Sequence, residues 1–112
     1  MSAQNNSECI FCKIISGAIP VQKIYEDADF IAFHDIKPMA QVHFLIVPKL
    51  HVETLKDCDG THQALLGSAL LLAPILAAEQ DLVGFKTLIN TGREGGQEVF
   101  HIHVHVFGGG VA

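Results

Sequence analysis

Val99-Phe-His-Ile-His-Val-His-Val-Phe107 alternates without a break, with histidines at His101, His103 and His105 and apolar residues at Phe100, Ile102, Val104 and Val106. A period of two belongs to a β-strand, whose successive side chains point to opposite faces, and not to a helix. The stretch predicts a strand over residues 99–107 with one apolar face and one face of imidazoles. Same-face neighbours on a strand stand about 6.6–6.8 Å apart, so the rings are expected in a row roughly 13 Å long. No small reacting atom can touch all three, which implies that they divide the work. A solvated polar face is the plain alternative, but Thr, Lys or Glu would serve there as well.

Neutral imidazole is a nucleophile, a proton carrier or a metal ligand. The row therefore supports two chemistries. His-x-His can supply two ligands of a catalytic metal with an open position. Alternatively, one imidazole attacks a bound phosphate while its neighbours donate to the phosphoryl oxygens. Upstream, Asn90-Thr-Gly-Arg-Glu-Gly-Gly96 is a glycine-rich loop. Such a loop can turn backbone N–H groups onto an anion, and it can equally be a plain turn between strands.

Working outward, Ile10, Phe11, Ile14 and Ile15 have the spacing of a short amphipathic helix that Ser16-Gly17 would stop. Lys23–Glu26 and Phe30–His34 flank a polar hairpin loop, and Val42–Val47 reads as a strand bounded by prolines. Asp59-Gly60-Thr61 marks the start of a long Ala/Leu-rich helix interrupted by Pro74 and ended by Gly84, and Phe85–Ile89 reads as a strand. The order predicts an α+β domain with about five mostly antiparallel strands, one long helix and one short one.

With 112 residues, 49% hydrophobic and 17% charged, the chain fits a single domain with a real core, residues 9–112, after a loose tail of residues 1–8. Its net charge of −5 argues against coating a nucleic acid. The polar start lacks the pattern of a secretory signal, so a cytoplasmic protein is the default expectation. The apolar run Ala69–Ala78 is ten residues long, short of the roughly 20 that span a bilayer, and no membrane partner is expected. Cys9-Ile-Phe-Cys12 fits a redox pair, half of a zinc site or two buried thiols, whereas Cys58 reads as a plain loop thiol.

The stretch Asn90–Gly109 closely resembles the signature of the histidine triad (HIT) family, His-φ-His-φ-His-φ-φ after a glycine-rich loop. The resemblance extends through Phe33-His-Asp-Ile-Lys-Pro38, His43-Phe-Leu-Ile-Val-Pro-Lys49 and Cys9-Ile-Phe-Cys-Lys-Ile14, nearly the whole chain. It is strongest to the histidine triad nucleotide-binding branch, whose members hydrolyse nucleoside phosphoramidates. The resemblance implies that His103 attacks the α-phosphorus and forms a nucleotidyl-imidazole, that His105 donates to the phosphate and helps handle the leaving group's proton, and that His43 polarises or orients the chemistry. Asn90, Gly96, Gln97 and the backbone amides of Glu98 and Val99 would hold the phosphate. Ile10, Phe11, Phe33, Ile36 and Leu45 would line a slot for a purine nucleoside, with Asp35 accepting from the ribose hydroxyls. Without the resemblance, those apolar residues read as core and Asp35 as a turn former.

It further implies a structural zinc held by Cys9, Cys12, His51 and His101, so that His101 belongs both to the triad and to the metal, and no catalytic metal is required. Family members are usually homodimers. Many relatives carry Ser where Glu98 stands, and many continue past the position of Ala112 toward the leaving-group side, so this chain's leaving-group side is expected to differ. The resemblance leaves two other functions open, a dinucleoside polyphosphate hydrolase or nucleotidyltransferase and a slow-turnover nucleotide-binding scaffold.

Overall fold

The computed structural model describes residues 8–109, so the expected tail lies outside the described residues apart from Glu8. Its strands are β1 (Lys23–Glu26), β2 (Phe30–His34), β3 (Val42–Pro48), β4 (Lys86–Leu88) and β5 (Val104–Gly108), with helices α1 (Ile10–Ser16) and α2 (Gln63–Glu79). The sheet order is β1-β2-β3-β5-β4. Every neighbouring pair is antiparallel, as the sequence predicts.

Strand alternation decides which helix each residue meets. Phe30 and Ala32 of β2, Phe44 and Ile46 of β3, and Val104 and Val106 of β5 pack with Ala69, Ala73, Leu76 and Ala77 of α2. The intervening Ile31, Phe33, Leu45 and Val47 pack with Phe11, Cys12 and Ile14 of α1. Two buried faces explain why β2 and β3 read as continuous apolar runs. They also fix the side of the histidines: on β3 and β5, His43 and His105 alternate with residues packed on α2 and so share the α1 face.

The long helix departs from expectation in two ways. It ends at Glu79, ahead of Gly84, and Asp81 takes the left-handed backbone (φ 63°) that turns the chain away. A close approach does require a glycine at Gly108, where an added Cβ would stand 2.7 Å from the Gly84 carbonyl oxygen. Backbone meets backbone there, so Gly108→Ala is expected to cost about 1–3 kcal/mol, the range for forced overpacking, read as a lower denaturant midpoint. Nor is the long helix interrupted at Pro74, since α2 runs as one helix from Gln63 to Glu79. Helical structure is continuous over Gly60–Glu79, 20 residues with mean hydropathy 1.4, long and apolar enough by length and composition to cross a membrane. Its inner face here belongs to the core of the domain.

Candidate active site and metal centre

The expected strand over 99–107 is shorter than the alternation implied: β5 begins at Val104, and only His105 of the three histidines lies in it. The ladder between β3 and β5 ends at the pair Ile46–Val104. Two residues further on, Pro48 has no N–H to give, and Lys49 turns its own N–H to the Asp29 carbonyl at 2.8 Å. Residues 97–102 are instead pinned to the segment after β3. Ile102 N–H donates to the Val52 carbonyl at 2.7 Å, and the Gln97 amide donates to the Glu53 carbonyl at 2.6 Å. The 13 Å row is thereby bent, and the ring centres of His103 and His105 lie 4.8 Å apart.

Beside that bend, on the α1 side of the sheet, lies a cavity of about 620 Å³. Its wall includes Ile10, Phe11, Phe33, Asp35, Ile36 and Leu45. From the other side it includes His43, Asn90, Gly96, Glu98, Val99, His103 and His105. All but two of the residues expected to handle nucleotide or chemistry therefore border one space. Ile36 is 93% exposed and stands at the mouth, not in a closed slot. Asp35 is also the turn former of the plain reading, since its Oδ1 accepts the Lys37 N–H at 2.8 Å.

The two exceptions are Gln97 and His101. Gln97 is buried outside the wall, with its amide spent on Glu53 and Val99 carbonyls and its Oε1 accepting the Gly92 N–H. It ties the glycine loop to the segment after β3 and does not border the cavity. His101 is 0% exposed, so its expected place among the catalytic residues becomes a supporting one. Asn90 and Gly96 meet directly: Gly96 holds φ 92°, the left-handed region that favours glycine, with its Cα beside the Asn90 amide.

Hydrogen-bond accounting assigns the proton on each ring. The Met39 N–H can only donate, and it meets His43 Nδ1 at 3.0 Å. Neutral His43 therefore carries its proton on Nε2, 2.9 Å from His105 Nδ1 and 3.4 Å from Asp35 Oδ2. His105 accepts at Nδ1, so its own proton sits on Nε2. His103 Nδ1 lies 2.7 Å from the His101 carbonyl, which can only accept, so His103 Nε2 keeps a free lone pair. His101 Nε2 likewise donates to the Pro48 carbonyl at 2.7 Å, leaving a lone pair on Nδ1.

Burial lowers the pKa of all four rings. Desolvation dominates at His43, against partial opposition from Asp35, and at His103, against the hydrogen bond to the His101 carbonyl and, less, Asp35. Desolvation, reinforced by His103 and His43, brings His105 to about 4. His101 is also brought to about 4, again chiefly by desolvation. The rings are neutral at pH 7, which is the condition the tautomer assignment needs.

Among the described residues, two groups have donors close enough to share a metal ion, Cys9-Cys12-His51-His101 and Asp35-His43-His105. The first fits. Tetrahedral zinc with bonds of about 2.3 Å to sulfur and about 2.0–2.1 Å to nitrogen sets its donors roughly 3.3–3.8 Å apart. Here Cys9 Sγ lies 3.3 Å and Cys12 Sγ 3.6 Å from His101 Nδ1, with His51 Nδ1 3.4 Å from Cys12 Sγ and 3.0 Å from His101 Nδ1. All four residues are buried, and His51 Nε2 has no hydrogen-bond partner. The second group does not fit, because the Met39 N–H keeps the proton on the His43 nitrogen a metal would need. Asp35, His43 and His105 form a hydrogen-bonded chain.

Comparison with known proteins agrees with this geometry. Residues 8–110 match the family described as "Scavenger mRNA decapping enzyme C-term binding". Protein HitA of Neisseria gonorrhoeae is 50% identical over 101 residues, 89% of this chain and 94% of that protein. A HIT family hydrolase from Legionella pneumophila superposes with a TM-score of 0.88 at 42% identity, covering 90% of this chain and 92% of that one. The chain belongs to the HIT family. A histidine triad protein from Clostridium difficile is similar as well, with TM-score 0.86, 39% identity and coverage of 91% and 90%.

The HIT signature reads out its own three histidines but is silent on what orients them. Met39 holds the tautomer of His43 through its backbone N–H, which no side-chain motif could announce. Lys37 also borders the cavity, where an anion would meet it, although the sequence pattern assigns it no role.

Proposed function

We propose that this HIT protein is a nucleotide-binding hydrolase that cleaves the P–N bond of purine nucleoside phosphoramidates and releases a nucleoside monophosphate. The observation that carries the reading is the lone pair on His103 Nε2, fixed by the bond from His103 Nδ1 to the His101 carbonyl, on a ring that lines the cavity. A neutral, oriented imidazole is a competent nucleophile and a good leaving group once phosphorylated. His103 Nε2 bonds to the α-phosphorus as the P–N bond breaks, and the departing nitrogen takes up a proton from solvent and leaves as the amine. Water then displaces the imidazole from phosphorus, restoring the lone pair.

His105, with its proton on Nε2, donates to the phosphoryl oxygens where charge accumulates. His43 holds that tautomer through Nε2–H, and Asp35 steadies His43. The amides of Glu98 and Val99, with Asn90 and Gly96, cradle the phosphate, and the apolar wall takes the base. Asp35 retains acceptor capacity for the ribose hydroxyls. Zinc at Cys9, Cys12, His51 and His101 is structural, since four protein donors leave no open position. The chain acts as a homodimer through the outer face of α2, where Leu71 is 71% exposed and Leu70 and Ile75 stand beside it.

A product screen tests the reading. An aminoalkyl adenosine phosphoramidate is expected to release AMP with a higher kcat/KM than any diadenosine polyphosphate. The reverse order would make the chain a dinucleoside polyphosphate hydrolase, and binding without turnover on either would make it a scaffold.

A further inference from the structure

The bond that sets the tautomer of His43 also limits how many protons the His43–His105 pair can hold. The Met39 N–H meets His43 Nδ1 at 3.0 Å. A proton on that nitrogen would set one N–H against another, so the bond excludes the cationic form of His43 as well as its other neutral tautomer. His43 Nε2–H in turn meets His105 Nδ1 at 2.9 Å, and a second proton on His105 would meet it head-on. The pair is therefore full with one proton on each Nε2. A further proton enters only if the Met39 bond or the bond between the rings breaks.

The surroundings give this exclusion a consequence. Asp35 Oδ2 faces both rings, 3.4 Å from His43 Nε2 and 3.9 Å from His105 Nδ1, and a carboxylate so placed favours an imidazolium. His103 flanks His105, the Phe107 ring packs beside His43, and Lys37 and Glu98 border the same cavity. Burial opposes the charge without direction, whereas the Met39 amide blocks one nitrogen. Met39 belongs to the segment between β2 and β3, whose other end is fastened to the same residue, since Asp35 N–H donates to the His43 carbonyl at 3.0 Å. The segment thus closes around His43. The Met39 side chain is exposed, so its contribution to the ring is main chain.

We propose that the Met39 amide is a positioning group that holds His43 and His105 as a proton-saturated pair, which donates hydrogen bonds to the phosphoryl oxygens and never carries the leaving group's proton. This replaces the proton handling that the resemblance implies for His105. To give up its Nε2 proton, His105 would have to draw the His43 proton onto Nδ1, and the Met39 N–H has none to pass on. The departing nitrogen leaves with the bonding pair of the P–N bond and takes its proton from solvent, and the pair supplies preorganised donation alone.

The kinetic part of the inference rests on the phosphoramidase reading, and a spectroscopic arm does not. Long-range ¹H–¹⁵N spectra of full-length, zinc-loaded protein read each imidazole nitrogen. His43 is expected to show Nδ1 bare and Nε2 protonated from neutral pH down through about 6.5, the ordinary imidazole value. Placing the α-hydroxy acid of methionine at residue 39 turns its amide into an ester, which deletes the N–H and keeps the side chain. That variant is expected to populate the other tautomer of His43 and to protonate it near the ordinary value. Its kcat for AMP release should fall about 10–100-fold, the scale of a misplaced catalytic group, with a new acid limb and a smaller change in KM. Met39→Ala, which keeps the N–H, is expected to keep the wild-type tautomer and pH profile. A proton on His43 Nδ1 in wild type at neutral pH, or an ester variant with wild-type tautomer and profile, would overturn the proposal. Wild type that shows the expected tautomers but turns over no phosphoramidate would overturn the function proposed above and not the proton-saturated pair.

Discussion

His103→Ala is expected to lower kcat for AMP release from an aminoalkyl adenosine phosphoramidate by on the order of 10⁴-fold or more, the scale seen when a covalent nucleophile is removed. AMP should still bind, because the cavity wall, the glycine loop and Asp35 are untouched. The structural cost is modest, since the ring borders an open cavity and its one polar tie is the His101 carbonyl. Rapid quench of the wild type with the same substrate should trap the nucleotide on His103, and the variant should trap none. Unchanged turnover in the variant would remove His103 as nucleophile.

The pH profile discriminates further. His103 must be neutral to attack, and burial holds its pKa below the ordinary 6.5. Lowering the pH through 6.5 should therefore leave kcat/KM nearly flat, with the loss setting in only as the depressed pKa of His103 is approached. His105, at about 4, stays neutral across the same window and keeps its proton on Nε2. An acid limb centred at 6.5 or above would mean that the buried rings are not the titrating groups.

The alternation of residues 99–107 marks two residues that border the cavity, His103 and His105, and predicts the strand only in part. Period two reports which face a residue takes if the ladder continues, but not where the partner strand runs out. Pro48 ends β3, and that event lies some fifty residues away in sequence. Apolar runs in β2 and β3 were readable because both of their faces are buried. Gln97 was misplaced for the opposite reason: its type and position suit a phosphate donor, and only the structure reveals that both ends of its amide are already engaged. His101 illustrates the same limit, since spacing makes it one of three equals whereas burial separates it from the cavity.

Cys12→Ser is expected to abolish stoichiometric zinc binding and to lower both stability and turnover, because His101 links the two. Its ring contributes Nδ1 to the cluster and its Nε2 is tied to Pro48. Its carbonyl fixes the proton of His103. The cluster also anchors α1, whose Phe11 ring packs edge-on against His103 with centroids 5.0 Å apart. A metal held there would join residues 9–12, 51 and 101, segments remote in sequence. Zinc supplies about 10–16 kcal/mol to small zinc-finger peptides that lack a core. A domain with two packed sheet faces depends on it less, and a loss of about 3 kcal/mol is expected. That loss corresponds to a fall in Tm on the order of 10–20 °C. Turnover should drop about 10–100-fold, as when the partners that orient a ligand are removed, mostly in kcat because the nucleoside wall persists. Chelation of the wild type should reproduce both losses together, and zinc should restore them together. Full activity at unchanged Tm after complete stripping would disconnect the cluster from the nucleophile. Instant loss of activity at unchanged Tm would instead place a catalytic metal in the cavity and refute the structural assignment.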